Sequence, residues 1–441
     1  MASPQGSNAQ AEALRAKIED RTARAGVIGL GYVGLPLAAE LGRSGFTVVG
    51  LDRSEGKVAA IGRGECYIPD VEKALFDRLV AEGKLTASTD DAVIAECDAV
   101  SICVPTPLRK TRDPDLSFVI ESAETLAQRM KPGTLVILES TTYPGTTEEA
   151  ILPALERSGM KVGEDFFLCF SPERVDPGNE RFGTKQIPKV IGGVTPACTE
   201  LGCLYYQQVM DRIVPVSSPR VAEMVKLLEN TFRMINIGLA NEMAIMCDRM
   251  GLNVWEIIEA AATKPFGFMP FYPGPGLGGH CIPVDPHYLS WKIKQAGYEP
   301  RFIQLASEIN GFMPHFVVEK VQGALNSVRK AINGSKVHLV GVAYKRDISD
   351  VRESPALDII GLLQRLGAEV SYSDAFVPQV ELETGLLEHT PLEQGVAAAD
   401  CVVVITDHRG IDYADLASKS RLIVDTRNSL RGIESETIFR L

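Results

Sequence analysis

The feature that most constrains this chain is a glycine turn between two apolar runs near its amino end. The segment RAGVIGLGYVGLPLAAELGRSGFTVVGLD, residues 24–52, predicts a strand, a tight turn, an amphipathic helix and a second strand. Gly29, Gly31 and Gly34 have GxGxxG spacing at the helix start, where small residues let a pyrophosphate reach unpaired helix amides. The segment therefore predicts a βαβ unit and a parallel sheet.

Asp52 at the end of the second strand narrows the choice of ligand. It follows Gly34 by 18 residues, where a carboxylate accepts hydrogen bonds from an adenosine ribose and repels a 2′-phosphate. The pattern predicts NAD rather than NADP, and Arg53 is the residue that could relax this preference. The alternative is a glycine turn that serves only packing in an α/β domain without a nucleotide.

Strand-like runs that alternate with helical patterns extend this first unit. Residues 98–105, 133–141 and 165–173 predict further strands of a doubly wound parallel sheet. A second alternating unit begins at 335–345 and ends with 421–427, and its first turn lacks the GxGxxG spacing. We expect this second unit to bind a nucleotide differently, or to bind none.

A long helix is predicted between the two units. Ser218 is a candidate N-cap, Pro219 stands at the first helical position, and an apolar helical pattern continues to Gly251. The fold class is therefore α/β, with two Rossmann-like doubly wound domains joined by a long central helix. We expect a tail over 1–24, a first domain over 25–214, a central helical region over 215–315 and a second domain over 316–441.

Composition excludes several classes of function. A formal charge of −12 gives no long-range attraction to nucleic acid or to anionic membranes. The apolar runs are far shorter than the roughly 20 residues of a membrane helix, and residues 1–25 lack the pattern of a signal peptide, so we expect a cytoplasmic protein. Nine cysteines without paired spacing or CxxC predict neither disulfides nor a metal site.

Several polar residues are candidates for chemistry, each with a structural alternative. Thr106, Ser140 and Thr141 follow predicted strands at the edge where doubly wound sheets bind ligands, although such residues also bond their own backbone. Lys226 and Asn230 share one helix face and could stabilise an oxyanion, although a helix lysine is more often solvated.

The loop GGHCIPVD holds the best candidate nucleophile. Cys281 lies in a glycine-rich, partly polar loop together with Asp285, unlike the cysteines of the strand runs. The spacing of His280 and His287 matches no standard zinc motif, so we expect both to be loop residues without a metal.

These motifs together resemble the UDP-glucose/GDP-mannose dehydrogenase family. They occur in order over residues 25–430, as GLGYVGLP, CVPTP, EST, SPE, KLLEN, GGHCIPVD and VAYKRDISDVRESPA. The resemblance implies an NAD-dependent, four-electron oxidation of a UDP-sugar's primary alcohol to a carboxylate, for surface polysaccharide precursors. It also implies that residues 316–441 bind UDP and that the central helix forms the core of a homodimer or larger oligomer.

The resemblance assigns roles at matching positions. Cys281 matches the nucleophile that forms a thiohemiacetal and then a thioester. Lys226 and Asn230 match the oxyanion-stabilising residues, Thr141 and Asp285 those that hold the catalytic water, and Glu173 an acid/base. The expected cofactor contacts are Gly29, Gly31, Tyr32, Val33, Gly34, Asp52, Arg53, Val104, Pro105, Thr106, Ser140, Thr141 and Arg352. The expected substrate contacts are Glu173, Arg174, Lys226, Asn230, Phe271, Tyr272, Gly276, Gly278, Lys345 and Arg427.

Two departures point to one branch of the family. Pro177 stands where many glucose-oxidising members have a second glutamate, and Val284 stands where a lysine commonly precedes the aspartate. The resemblance then implies a UDP-N-acetylhexosamine substrate, with UDP-N-acetylglucosamine first, the manno epimer second and UDP-glucose third. A catalytically inactive nucleotide-sugar binding protein and a one-step alcohol dehydrogenase are the competing hypotheses.

Overall fold

The structure is a computed structural model that describes residues 8–109, 113–175, 184–279 and 281–441. Within it the chain forms two compact units, Met1–Glu229 and Asn230–Leu441. Pro177 and His280, on which two of the predictions depend, lie outside the described residues. The predicted division of the chain into four segments stays a prediction.

The first unit is built on an eight-stranded sheet in the order β3-β2-β1-β4-β5-β6-β7-β8. Its strands are β1 Arg24–Ile28, β2 Thr47–Leu51, β3 Leu85–Ser88, β4 Ala99–Ile102, β5 Leu135–Leu138, β6 Phe167–Phe170, β7 Lys189–Gly193 and β8 Ile213–Pro215. Its helices are α1 Ala9–Glu19, α2 Gly34–Arg43, α3 Glu55–Gly62, α4 Lys73–Ala81, α5 Ser117–Arg129, α6 Leu152–Leu155 and α7 Pro196–Gln207. Short 3-10 segments lie at Asp91–Glu96, Glu156–Ser158 and Thr184–Gln186, and a π-helical segment lies at Thr147–Ile151.

Both faces of this sheet are buried, as the prediction of a doubly wound domain requires. Along β5, Leu135 and Ile137 pack into one core with α1, α2, α4 and α7, while Val136 and Leu138 pack into another with α5 and α6. The strand pairs are parallel from β3 to β6, but β7 pairs antiparallel with β6. The reversal of β7 was not predicted, and it proves important for the site.

The long central helix is confirmed as α8, Pro219–Met250, with 32 residues. Pro219 is its first residue, and the amide of Val221 is 3.4 Å from the Ser218 hydroxyl. Gly251 ends it with a φ of 68°, a conformation that glycine adopts without strain. The boundary between the two units falls within this helix.

The second unit has a five-stranded parallel sheet in the order β10-β9-β13-β14-β15, with a separate β11-β12 hairpin. Its strands are β9 Lys336–Val340, β10 Glu369–Ser373, β11 Gln379–Leu382, β12 Gly385–Glu388, β13 Cys401–Val404, β14 Ile423–Asp425 and β15 Ile438–Arg440. Its helices after α8 are α9 Val254–Ala262, α10 Asp285–Gln295, α11 Arg301–Ser327, α12 Pro355–Arg365, α13 Leu392–Ala398 and α14 Tyr413–Lys419. Along β13, Cys401 and Val403 face α11 and α12, and Val402 and Val404 face α13 and α14. The α/β fold class with two such domains and a long helix is therefore confirmed. Across the described residues, every helix is too short or too polar to cross a membrane.

Candidate functional site

The glycine turn after β1 has the geometry of a nucleotide cradle. Gly29 has a φ of +91°, and a Cβ on it would lie 2.6 Å from the carbonyl oxygen of Cys103. A Cβ on Gly34 would lie 1.8 Å from the carbonyl oxygen of Gly29, so the backbone itself requires glycine at both positions. Around Gly31, no atom of the described residues lies within 4 Å of such a Cβ, which leaves open space at the start of α2. These features fit a pyrophosphate.

Asp52 is held at the end of β2 by three donors. One carboxylate oxygen accepts from the amide of Leu30 at 2.8 Å and from the ammonium of Lys57 at 3.0 Å, and the other accepts from the amide of Ser54 at 3.0 Å. Partial burial alone would raise the pKa of Asp52, but these donors outweigh burial and lower it. A carboxylate has about four acceptor positions, so the contacts of the described residues leave one for a ribose hydroxyl.

The other predicted cofactor contacts of this unit surround the same edge of the sheet. Arg53 is paired with Glu121 on α5, and Tyr32 is 43% exposed beside the glycine turn. The hydroxyl of Ser140 donates to the carbonyl of Val104 at 2.8 Å, which is the structural alternative considered for this residue. Val33, Val104 and Thr106 are half-buried, and Pro105 is exposed. Their contact with a cofactor stays a prediction.

Glu173, in the SPE motif after β6, is surrounded by donors. One of its oxygens accepts from the amides of Arg174 and Val175 at 2.8 and 2.7 Å. The other lies 3.2 Å from the ammonium of Lys189. Burial by itself would raise the pKa of Glu173, but Lys189, these amides and the charge of Lys226 together lower it.

The ammonium of Lys189 also binds a second carboxylate. It lies 2.5 Å from Glu139, the residue directly after β5, and the Tyr206 hydroxyl donates to the other oxygen of Glu139. Burial raises the pKa of Glu139. Burial by itself would lower the pKa of Lys189, but the two carboxylates of Glu139 and Glu173 outweigh it and raise that pKa. Neither Glu139 nor Lys189 was predicted as part of a site.

Arg174 and Lys226 stand near Glu173 in this unit. The guanidinium of Arg174 makes two bonds to Glu229, at 2.5 and 3.1 Å, and a third to the carbonyl of Pro188 at 2.7 Å. These contacts give Arg174 a structural role beside its predicted one. Lys226 is half-buried on α8, and Thr141 is half-buried after β5. Their roles with the substrate and the catalytic water stay predictions.

The second unit brings together Asn230, Asp285 and the backbone of Cys281. The Asn230 side-chain amide donates to the Asp285 carboxylate at 2.5 Å, and both residues are buried. The amides of Val284 and Asp285 bond the carbonyl of Cys281 at 3.1 and 2.8 Å. Cys281 therefore lies one turn before the first residue of α10, Asp285, and the N-terminus of this helix is the positive end of a helix dipole, which stabilises negative charge. All nine cysteines lie among the described residues, and none is in a disulfide.

Close glycine contacts hold the loop before Cys281 against the segment 344–353. A Cβ on Gly278 would lie 2.5 Å from that of Tyr344, and the Gly279 amide donates to the carbonyl of Arg352 at 3.0 Å. Gly276 has a φ of +140°. The guanidinium of Arg352 binds Asp350, with a shortest contact of 2.6 Å. A cofactor contact by Arg352 stays a prediction.

Aromatic contacts fix the start of the same loop. Tyr272 stacks on Trp255 with ring centres 5.9 Å apart, and Phe271 meets Phe232 edge-on at 5.7 Å. Tyr272 is 47% exposed despite this stacking, which leaves ring surface for a ligand.

Arg427 is a half-buried residue at the carboxyl edge of the second sheet. It follows β14, and its Nε donates to the carbonyl of Ile405 at 2.8 Å. Burial and the neighbouring charge of Arg346 lower the pKa of Arg427 to about 10. Two cations at one sheet edge fit a diphosphate, although Arg346 also pairs with Asp407. Lys345, predicted to hold the nucleotide, precedes Arg346 and is half-buried.

Comparison with known proteins gives three matches to one family, in chain order. The NAD-binding domain of the UDP-glucose/GDP-mannose dehydrogenase family matches residues 23–210, its central domain residues 220–311 and its UDP-binding domain residues 338–432. The glycine turn and Asp52 lie inside the first match, and Cys281 lies inside the second.

Individual relatives align over most of the chain. A UDP-N-acetyl-D-glucosamine 6-dehydrogenase from Pseudomonas aeruginosa is 39% identical over 365 residues, 82% of this chain and 84% of the relative. A UDP-N-acetyl-D-mannosamine dehydrogenase from Salmonella typhimurium is 37% identical over 424 residues, 92% of this chain and 98% of the relative. The solved structure of a UDP-D-ManNAc dehydrogenase from Pyrococcus horikoshii has a TM-score of 0.87 at 35% identity, covering 95% of this chain and 98% of that one.

Proposed function

This chain belongs to the UDP-glucose/GDP-mannose dehydrogenase family of oxidoreductases, and we propose that it oxidises the C6 alcohol of a UDP-N-acetylhexosamine to a carboxylate. The observation that carries the proposal is the alignment of nearly the whole chain with dehydrogenases named for N-acetylhexosamine substrates. UDP-N-acetylglucosamine is the first candidate. UDP-N-acetylmannosamine is a second candidate, favoured by the longer alignment with mannosamine dehydrogenases.

The glycine turn and Asp52 would hold NAD, whose domain the chain contains. When bound, NAD supplies the hydride acceptor for both oxidations. The helix amides beside Gly31 would face the pyrophosphate, and the remaining acceptor position of Asp52 would receive a ribose hydroxyl. Lys57 fixes the orientation of that carboxylate through its ammonium.

Cys281 would carry the covalent chemistry. Its sulfur adds to the carbonyl carbon of the C6 aldehyde, and the thiohemiacetal so formed is oxidised to a thioester. Water then attacks the thioester carbonyl, the carbon–sulfur bond breaks, and the cysteine leaves as a thiolate. The backbone contacts of Cys281 with Val284 and Asp285 support this role, because they hold the residue within one turn of the positive end of α10, where a thiolate would be stabilised.

The remaining polar residues would stabilise charge and hold water. Lys226 and Asn230 would donate to oxyanions that develop at C6. Asp285, which accepts a bond from Asn230, would hold the catalytic water together with Thr141. Glu173, surrounded by donors, would act as the base for that water.

Arg427 and Lys345 would bind the UDP part of the substrate. The half-buried charge of Arg427 and the charge of its neighbour Arg346 support an anionic ligand at this sheet edge, inside the UDP-binding match. A diphosphate would neutralise two cations that otherwise repel each other.

We also propose a homodimer or larger oligomer through α8. Several large apolar side chains of this helix are exposed in the single chain, more than a solvated helix carries without purpose. They are Val221, Met224, Leu228, Phe232, Leu239, Met246 and Met250. Sedimentation of the purified protein tests this proposal, and a monomer at micromolar concentration would contradict it.

NADH formation with a panel of nucleotide sugars tests the proposed reaction. We expect turnover with UDP-N-acetylglucosamine or UDP-N-acetylmannosamine, two NADH per sugar consumed, and a far lower kcat/KM with UDP-glucose. A site built to bond an acetamide leaves those groups unpaired when a hydroxyl replaces it. Preference for UDP-glucose would overturn the substrate assignment, and one NADH per sugar would overturn the four-electron reaction.

A further inference from the structure

Glu173 belongs to a cluster of three ionisable side chains in the first unit, of which two are buried and Glu173 is nearly so. The side chains of Glu139 and Lys189 are 0% and 5% exposed, and that of Glu173 is 11% exposed. Burial of three charged groups costs free energy that burial of an apolar cluster of the same volume does not cost. Stabilisation of the fold therefore does not explain why these three residues are here. The position of the cluster at a proposed base suggests a role in the reaction.

The topology of the sheet creates this cluster. Glu139 directly follows β5, and Glu173 lies three residues after β6, so both stand at the carboxyl edge. Lys189 is the first residue of β7, and a first residue would lie at the opposite edge if β7 were parallel. Because β7 runs antiparallel to β6, its start lies beside the end of β6 and delivers an ammonium to the carboxyl edge.

The groups around Glu173 favour its ionised form. Its two oxygens accept from two backbone amides and from Lys189, and Lys226 on α8 adds a second positive charge. The guanidinium of Arg174 is neutralised by Glu229 and so contributes little net charge. The only carboxylate that opposes ionisation in this cluster, among the described residues, is Glu139.

Lys189 is itself fixed in place. Glu139 binds it at 2.5 Å, and Tyr206 from α7 donates to the far oxygen of Glu139. The ring of Tyr206 also lies under the ammonium, 5.1 Å from its nitrogen. Burial raises the pKa of the adjacent Cys103 thiol, so that thiol stays neutral.

We propose that Lys189 is a positioning residue that keeps Glu173 ionised and oriented as a base, with Glu139 and Tyr206 holding Lys189. The inference rests on the proposed function, in which Glu173 takes a proton from the water that cleaves the thioester. In that step the water oxygen bonds the thioester carbon, its proton passes to the Glu173 carboxylate, and the Cys281 thiolate leaves. Glu173 must start without a proton, and Lys189 secures that state.

The test is the pH profile of kcat for Lys189→Met. Loss of the ammonium raises the pKa of Glu173, and a base works only above its pKa, so the acidic limb moves to higher pH. We expect the acidic limb to move by at least about one pH unit, so that kcat on that limb falls about tenfold. At alkaline pH, kcat should return to the wild-type value. KM for the UDP-sugar should change little. Intact-mass analysis after an acid quench should show the thioester adduct accumulating on the variant.

Matched variants separate this role from a structural one. Lys185→Met removes an exposed lysine of the same unit and should keep the wild-type profile. Lys189→Arg keeps the positive charge and should retain most of the acidic limb. If Lys189→Met alone fails to fold, the double variant Lys189→Met/Glu139→Gln also removes one buried carboxylate and should fold with the shifted limb.

The result that overturns the inference is a loss of kcat that is equal at every pH, without thioester accumulation, in Lys189→Met or in the double variant. A wild-type profile in Glu173→Gln would overturn the role of Glu173 and the inference with it, while NADH formation by the wild type would leave the overall reaction standing. A wild type that forms no NADH with any UDP-sugar would instead overturn the proposed function.

Discussion

Two glycines of one turn should respond to alanine in opposite ways. At Gly34 the added methyl would meet the carbonyl oxygen of Gly29 at 1.8 Å, which is backbone and cannot rotate away. The start of α2 must then move by more than an ångström, at a cost of about 1–3 kcal/mol. For a unit of 229 residues, each kcal/mol lowers the unfolding midpoint by about 2–4 °C, so we expect Gly34→Ala to lower it by about 2–12 °C.

At Gly31 the same methyl meets no atom of the described residues within 4 Å. The unfolding midpoint of Gly31→Ala should therefore stay near the wild-type value, or rise slightly because alanine restricts the unfolded chain. The methyl instead occupies the space where the pyrophosphate would approach the backbone. We expect the dissociation constant for NAD to rise at least about tenfold, which corresponds to about 1.4 kcal/mol.

Thermal unfolding without cofactor and calorimetric titration with NAD measure the two effects separately. Gly62→Ala is the control, because Gly62 is an exposed residue at the end of α3 and also has no described atom within 4 Å of an added Cβ. Gly31→Ala with wild-type NAD affinity would refute the assignment of the turn to the pyrophosphate. An unchanged midpoint in Gly34→Ala would refute the close backbone approach.

Four further predictions follow from named contacts. Cys281→Ala, correctly folded, should form no uronic acid in product analysis by chromatography, because no thioester can form; acid at the wild-type rate would exclude covalent catalysis. Asp52→Ala should narrow the ratio of kcat/KM for NAD over NADP, and equal use of both cofactors by the wild type would contradict the role of Asp52. Lys226→Ala and Asn230→Ala should each lower kcat, because each removes about 3 kcal/mol of transition-state stabilisation. A raised KM with an intact kcat would instead assign these residues to ground-state binding. Burial and, to a smaller extent, the charge of His389 lower the pKa of His338 from near 6.5 to about 4, so between these pH values the unfolded state binds a proton that the folded state does not. The free energy of unfolding measured with urea should therefore be about 2 kcal/mol lower at pH 5 than at pH 7. His338→Gln should show no such loss.

Local patterns predicted the fold well because its signals lie close together in the chain. The glycine turn and the run to Asp52 define the first βαβ unit within 29 residues. Ser218, Pro219 and Gly251 mark both ends of α8, since capping depends only on neighbouring backbone groups. The predicted alternation of strands with helices also agrees with the structure, where both faces of each sheet carry a separate core.

Contacts that depend on the direction of a strand could not be predicted from such local patterns. Lys189 reads as an ordinary polar residue at the start of an apolar run, and only the reversal of β7 brings it to Glu139 and Glu173. The contact of Lys57 with Asp52 could have been predicted from the sequence, because Lys57 lies five residues after Asp52 in the first turn of α3. Arg346 could also have been predicted as part of the site, since it is adjacent to the predicted residue Lys345.

The two Rossmann-like domains show how one turn can serve two purposes. Gly341 follows β9 as Gly29 follows β1: its φ is +82°, and a Cβ on it would lie 2.4 Å from the carbonyl oxygen of Thr406. Two residues later, however, the second turn has Ala343 where the first has the open Gly31.

The acidic residue of the second turn is also used differently. Asp374 follows β10 as Asp52 follows β2, but one of its oxygens accepts from the amides of Val342 and Ala343 at 2.8 and 3.0 Å and faces His408 at 2.9 Å. Its side chain is 0% exposed, so it ties the turn together and leaves no acceptor for a ribose. We therefore expect side-chain cations such as Arg427 to hold an anion at this edge, and guanidinium groups form strong, often bidentate hydrogen bonds with phosphate. On the proposed function, the same backbone plan would hold a dinucleotide through amides in one domain and a nucleoside diphosphate through guanidinium groups in the other.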